Sequence, residues 1–272
     1  ASVLPSAVRV SPKCAATWTA GPATLIRGSL GTGYRYPSIG ELFVTSSTNV
    51  SQLVILPNPN LRSESSVTGE LGFRQRLGNA VLLDGAVFNN EFRDLIEAGV
   101  AIRKVHLSPG DSGEVERAVV TFENVTRARI QGMEMILEIV WLRRLLSTQV
   151  GYTYLWHRDL VEQAPLKFRP RHLLMASLRS EVGDAEIGID FRFASRVERI
   201  DDLLVRLAPI IDGDRRVPIR VVDARVLYSL DDWGVPLRLG LNVKNLFNYY
   251  YAELIGNLAP IRSYMLSVDG VW

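Results

Sequence analysis

One cysteine, Cys14, is the entire thiol complement of this 272-residue chain, so no internal disulfide can form. Histidine occurs only at His106, His157 and His172, which argues against a metal cluster built on imidazole. No apolar run approaches the ~18 residues of a membrane-spanning helix. Membrane strands remain open, because they need only ~9–11 alternating residues. A charge excess is lacking as well: 31 basic and 29 acidic residues leave a net charge of +2. A nucleic-acid binder would need a basic excess on one face. Lysine is scarce (Lys13, Lys104, Lys167, Lys244), and the other basic residues are Arg. The planar fork of Arg suits ion pairs inside a polar lumen, because it meets a carboxylate bidentately. Biased codon usage would explain the same count. Apolar content of 47% against 22% charged excludes a disordered chain.

What the chain does have is alternation. In 67–76, Val67, Gly69, Leu71 and Phe73 oppose Thr68, Glu70, Gly72, Arg74 and Arg76. In 133–141, Met133, Met135, Leu137, Ile139 and Trp141 oppose Glu134, Ile136, Glu138 and Val140. Segments 149–156, 186–193, 222–229 and 237–244 behave alike. A period of two places each set on one face of a β-strand; a helix would scramble both. The last nine residues alternate without a break, with Tyr264, Leu266, Val268, Gly270 and Trp272 on one parity. An apolar face ending in an aromatic is the pattern of a closing strand of an outer-membrane barrel.

Weaker segments bring the expectation to about eleven strands: 8–19, 23–34, 64–76, 80–99, 118–141, 145–157, 168–181, 185–198, 217–230, 235–247 and 262–272. Short turns (20–22, 77–79, 142–144, 182–184, 231–234) then alternate with long loops (35–63, 100–117, 158–166, 199–216, 248–261). Long loops on one rim and short turns on the other is the asymmetry of outer-membrane barrels. Trp18, Trp141, Trp233 and Trp272 fall at the short-turn rim and Trp156 at the other, where an indole satisfies both its apolar body and its N–H. The fold class is therefore all-β, an antiparallel transmembrane barrel. An odd strand number leaves edges unpaired in lipid, so the chain is expected to supply part of a barrel of ~22 strands.

Several local patterns were weighed for chemistry. Gly28-Ser29-Leu30-Gly31-Thr32-Gly33 lacks the Lys-Ser/Thr and the helix of a phosphate loop. Asp201-Asp202 and Asp231-Asp232 are solvated carboxylates in a loop and a turn. Asp111 with Glu114 and Glu116 could hold a cation such as calcium through several oxygens. No nucleophile, base and orienting acid come together, so no enzyme activity is expected.

Five stretches carry a family resemblance. Gly33-Tyr34-Arg35-Tyr36-Pro37-Ser38-Ile39-Gly40-Glu41-Leu42-Phe43 resembles the "FRxPxxxELF" segment of TonB-dependent receptors. Asn58-Pro59-Asn60-Leu61-Arg62-Ser63-Glu64 is close to "NPNLKPE", with Ser63 in place of Pro. Glu123 to Glu134 is similar to "NxGKARIxGVE", and Pro165 to His172 to "PLxxRPxH". Asn242 to Tyr251 is like "xVxNLFDxxY", and Trp272 stands where a terminal Phe is commoner. The order of these motifs makes the match specific. It implies that residues 1–272 are the carboxy-terminal part of such a barrel, with the plug domain and TonB box upstream.

The resemblance further implies a receptor in the bacterial outer membrane that takes up a bulky, scarce nutrient such as a ferric siderophore, haem or cobalamin. Its partners would be outer-membrane lipid, TonB, the barrel-assembly machinery and a metal-chelate or cobalamin-like ligand, without nucleic acid and without a resident cofactor or metal. By position at the outer rim, the candidates for ligand contact are Tyr34, Arg35, Tyr36, Arg103, Trp156, His157, Arg199, Tyr249 and Tyr250. Tyr264, Leu266, Val268 and Trp272 resemble the signal read by the assembly machinery. A passive porin or a barrel enzyme is the alternative, and a soluble β protein with a binding face the third reading.

Overall fold

A computed structural model describes residues 9–47, 53–105, 115–141, 145–200, 217–254 and 257–270. The strands are β1 (Lys13–Thr19), β2 (Thr24–Arg35), β3 (Ser46–Ser47), β4 (Leu53–Ile55), β5 (Glu64–Leu77), β6 (Val81–Val105), β7 (Val115–Trp141) and β8 (Leu146–Asp159). They continue as β9 (His172–Val182), β10 (Ala185–Ala194), β11 (Ile219–Ser229), β12 (Leu237–Lys244), β13 (Ala252–Leu254), β14 (Asn257–Leu258) and β15 (Ser263–Gly270). One short helix, α1 (Ile39–Phe43), follows β2. Eleven strands form an antiparallel meander in the order β1-β2-β5-β6-β7-β8-β9-β10-β11-β12-β15. β1 and β15 each pair with a single strand of this partial barrel.

The register preserves the two faces across the whole sheet. Leu71 of β5 lies opposite Val87 of β6, Val87 opposite Met133 of β7, and Met133 opposite Tyr154 of β8. At the other end Val226, Leu241 and Leu266 line up across β11, β12 and β15. This apolar face is exposed in the chain, with Leu71 59% and Leu266 80% accessible, as a lipid-facing surface requires. Glu134 and Glu138 sit on the other, polar face, where Glu138 accepts from Gln149 at 3.3 Å.

Ion pairs cover that polar face. Arg27 donates to Asp84 at 2.8 and 3.2 Å, and Arg74 donates to the same carboxylate at 2.7 Å. To reach Asp84, Arg27 lies across β5 directly over Gly72, where an added Cβ would come within 2.8 Å of its guanidinium. Arg179 pairs bidentately with Asp190 at 2.9 and 3.0 Å, and Arg225 with Glu186 at 2.9 Å. These pairs put the charges on the side away from lipid, where hydrogen bonds can satisfy them.

Loop lengths sort by rim as expected. The short turns close on left-handed glycines, among them Gly78 (φ 59°) and Gly183 (φ 58°). Turn residues 142–144 lie outside the described residues. Trp18, Trp141 and Trp233 are at this rim, and Trp141 donates to Thr148 at 3.2 Å. Trp272 lies outside the described residues. From Leu146, opposite Trp141, to Trp156 the strand runs eleven residues, the length a tilted membrane strand needs.

Several strand limits differ from expectation, each for a local reason. The strand expected from 168 begins at His172, because Phe168 has φ 60° and Pro170 offers no N–H. The strand expected to reach 198 stops at Ala194, because Ser195 Oγ accepts from Arg171 and His172 N–H and ends the ladder. Asn245 at φ 52° ends β12 three residues early. β6 and β7 run past the expected 99 and 118, paired as far as Val105 with Val115. β4 was not foreseen; it pairs parallel with β7 at residues 118–120.

Candidate ligand-binding rim

At the long-loop rim, alternation gives way to side-chain clamps. The first joins two of the sequence motifs. Arg35, at the end of β2, donates to Glu64 at 3.0 and 2.9 Å and to Glu41 at 3.0 and 3.2 Å. Glu64 is buried and also accepts the Ile96 N–H at 2.7 Å. Glu41 and Ser38 form a reciprocal capping box that starts α1 just after Pro37. Burial alone would push the Glu41 carboxyl up, but hydrogen bonds from Arg35 and Ser38 outweigh it and hold it below the usual range. The rest of the segment is tied to β7: Asn58 donates to the Phe122 carbonyl at 2.8 Å, and Asn124 exchanges hydrogen bonds with the Arg62 backbone at 2.8 and 2.9 Å.

A second clamp folds residues 160–171 against the inner face. Leu166 is fully buried with Leu95 and Ala128. Its N–H donates to Nδ1 of His157 at 3.2 Å. His157 is itself buried, and its Nε2 has no partner among the described residues. Burial, then Arg169 and Arg171, lower its pKa below the ordinary histidine value. Arg169 pairs with Glu97, Arg171 with Glu198 at 2.7 Å, and Arg199 with Glu162 while donating to the Pro165 carbonyl at 3.3 Å. Between Ile96–Ala98 and Lys167–Arg169 an open cleft of about 260 Å³ remains.

The third clamp is Asn245, which is buried. It donates to the Tyr249 and Pro260 carbonyls at 2.9 and 3.3 Å and accepts the Tyr249 N–H at 2.8 Å, closing the chain on itself as it leaves β12.

These contacts divide the rim candidates. Tyr36 and Tyr250 are exposed beyond the strands, and Arg103 is exposed on the outer part of β6. Arg35 and Arg199 have their guanidinium groups engaged in structural clamps, and His157 accepts the Leu166 N–H through Nδ1, because the ends of long strands need side chains to satisfy groups that the ladder no longer pairs. Tyr249 donates to the Pro218 carbonyl at 2.6 Å and stacks on buried Tyr251, so its hydroxyl is also committed. Tyr34 and Trp156 lie on the lipid-side parity with Tyr154 and Tyr264, as a girdle does. Tyr264, Leu266 and Val268 share that outward face of β15. Lys167, Phe168 and Arg169 line the cleft and were missed as candidates; their motif was visible, but which of its residues face the cleft was not. Among the described residues no three His, Cys, Asp or Glu side chains gather as metal ligands. Asp111 and Glu114 of the suggested cation loop lie outside the described residues. The rim thus offers aromatic faces and guanidinium or ammonium groups beside an open cleft, a chemistry for holding an anionic or planar molecule.

Comparison with known proteins agrees with the geometry. Residues 5–246 match the family described as TonB dependent receptor-like, beta-barrel. The chain is 25% identical over 178 residues to the iron-regulated outer membrane virulence protein of Vibrio cholerae serotype O1, covering 64% of this chain and 27% of that protein. It is 26% identical over 157 residues to the heme/hemopexin utilization protein C of Haemophilus influenzae, covering 53% and 21%. In structure it is similar to the copper transporter OprC, with a TM-score of 0.69 at 20% identity over 96% of this chain and 39% of that one. The chain thus spans about a quarter of the length of these curated relatives.

Proposed function

Because the chain belongs to the TonB-dependent receptor-like β-barrel family, we propose that it is the carboxy-terminal barrel part of an outer-membrane receptor for a bulky, iron-bearing nutrient. A ferric siderophore or haem is the ligand class. Supporting this reading are the family match and the open rim, where Tyr36, Arg103, Phe168, Lys167 and Tyr250 stand beside long loops. An iron-regulated and a heme-utilization protein among the relatives point to iron rather than to cobalamin. The copper transporter of the same fold is the reason the cargo is read from the rim and not from the barrel.

The mechanism follows from the open sheet. β1 and β15 would pair with the remaining strands, since free backbone groups at membrane depth find no water. The charged inner face would bond to a plug, and TonB would act on that plug from the periplasmic side. Ligand would be held at the rim by aromatic stacking and charge-assisted hydrogen bonds until the plug moves. A passive porin shares the barrel but needs no TonB.

Uptake of iron-loaded siderophores and haem by a deletion strain, complemented with the full-length receptor in the presence or absence of TonB, tests this. Uptake should require both genes. Uptake that persists without TonB would favour the porin, and no uptake of any iron source would overturn the nutrient class.

A further inference from the structure

The outward face carries a feature that nutrient uptake does not use. Along β6 its side chains run from Val87 through Asn89 to Glu91 and Arg93. Along β7 they run from Met133 through Gln131 to Arg129 and Arg127, and along β8 from Tyr154 through Trp156 to Arg158. Each strand thus passes from apolar, through amide or indole, to charge as it rises toward the long-loop rim. The charged step holds four guanidinium groups against one carboxylate.

Its centre is unbalanced. Arg93 lies directly opposite Arg127; both are exposed, and neither makes a side-chain hydrogen bond or ion pair among the described residues. Like charges directly opposed across a sheet are destabilising. The neighbouring acids are already engaged. Glu91 pairs with Arg129, and Asp94 with Arg62 at 2.6 Å. Asp159 accepts the Val161 and Glu162 N–H groups at 2.7 and 3.0 Å. Arg158 donates to the Gln163 carbonyl at 2.9 Å.

We propose that this patch binds a phosphate-bearing lipid headgroup of the outer leaflet, between Arg93 and Arg127 with Arg129 beside them. The proposal rests on the reading of the sheet as a membrane barrel. A phosphate is the matching counter-ion, because a dianion between two guanidinium forks turns their repulsion into charge-assisted hydrogen bonds. A lipid is the matching source, because the patch leads through the amides of Asn89 and Gln131 to Val87 and Met133, where acyl chains would lie.

Native mass spectrometry of the full-length receptor in detergent tests this. Diphosphoryl lipid A, fully dephosphorylated lipid A and phosphatidylcholine serve as lipid probes, and inorganic phosphate as competitor. The diphosphorylated lipid should bind in preference to the other two. Arg93→Gln with Arg127→Gln should weaken it roughly thirtyfold, while phosphatidylcholine retention stays unchanged, as does headgroup binding in the separate control Arg220→Gln, which alters an exposed arginine on the outward face of β11. Equal retention in wild type and double variant overturns the proposal. Displacement by millimolar inorganic phosphate alone overturns the lipid and leaves a simple anion site. Protease protection in vesicles separates the two readings: failure to insert strikes the barrel itself, whereas an inserted receptor without headgroup preference strikes the patch alone.

Discussion

The spanning part of the sheet and its long-loop rim obey different rules. In the spanning part solvent does the sorting: one face meets hydrocarbon, the other water or protein, and each residue's place follows from its parity. At the rim both faces meet water, so parity stops mattering and single polar contacts decide the path. The Arg35–Glu41–Glu64 triad, the His157–Leu166 contact and the Asn245 clamp are the result. The lesson is that substitutions in the span are judged by face, and substitutions at the rim by partner.

The sharpest break of this contrast is Val87→Arg against Ala86→Arg. Val87 faces outward in the apolar band and its neighbour inward. Val87→Arg should cost about 2–4 kcal/mol, measured by denaturant titration of the full-length receptor folded into vesicles, and Ala86→Arg far less. Equal costs would mean that the faces are misassigned.

Next comes Gly132→Val. A Cβ at Gly132 would sit 2.3 Å from the Tyr154 carbonyl oxygen and 2.6 Å from the Phe88 ring, so the strands must separate. A loss of about 1–3 kcal/mol is expected, while Gly151→Ala, which meets nothing within 4 Å, should be close to neutral by the same titration.

Glu64→Ala probes the rim. It removes the main partner of Arg35 and leaves the Ile96 N–H without its acceptor. Hydrogen exchange over residues 36–64 should accelerate roughly tenfold or more, for a cost of about 1–3 kcal/mol. Glu64→Gln, which keeps an acceptor, should fall between. Unchanged exchange in Glu64→Ala would show that the triad does not hold the segment.

The smallest effect is a pH dependence at His157. Its folded pKa is depressed by burial and by Arg169 and Arg171, so the opened loop takes up a proton first. The stability of the 160–171 loop is therefore complete above the ordinary histidine value of about 6.5 and declines as pH falls below it, by at most about tenfold per pH unit. Protonation would also place a hydrogen on Nδ1, which accepts the Leu166 N–H. The protection of residues 160–168, taken relative to the intrinsic amide exchange rate at each pH, should be lower at pH 5.5 than at pH 7.5 in wild type and the same at both in His157→Gln.

Legibility followed the same division. Residues 237–244 and 263–270 could be laid side by side from their alternation, and the structure pairs them without a slip, from Leu237 with Gly270 to Lys244 with Ser263. The positive-φ break at Asp94 was not legible. Beyond it Leu95 turns in to pack with Ala128 and Leu166, although parity would have put it on the lipid side. Nor was the parallel addition of β4 to β7, because three residues, Leu53 to Ile55, carry too little pattern to announce a strand. Arg35 stood within a recognisable motif, but its two acids come from positions 41 and 64, and a motif does not state which side chains meet.

The sequence by itself determined the class, the faces and the rims, since a bilayer imposes a period of two and a strand length on any chain that crosses it as a sheet. The tertiary structure alone decided which rim side chains are bound into clamps and which stand exposed at the loops. Some of those contacts, such as Arg35 with Glu64 and Arg169 with Glu97, join residues tens of positions apart, and the geometry of all of them is fixed by the packing around them rather than by any repeat in the chain.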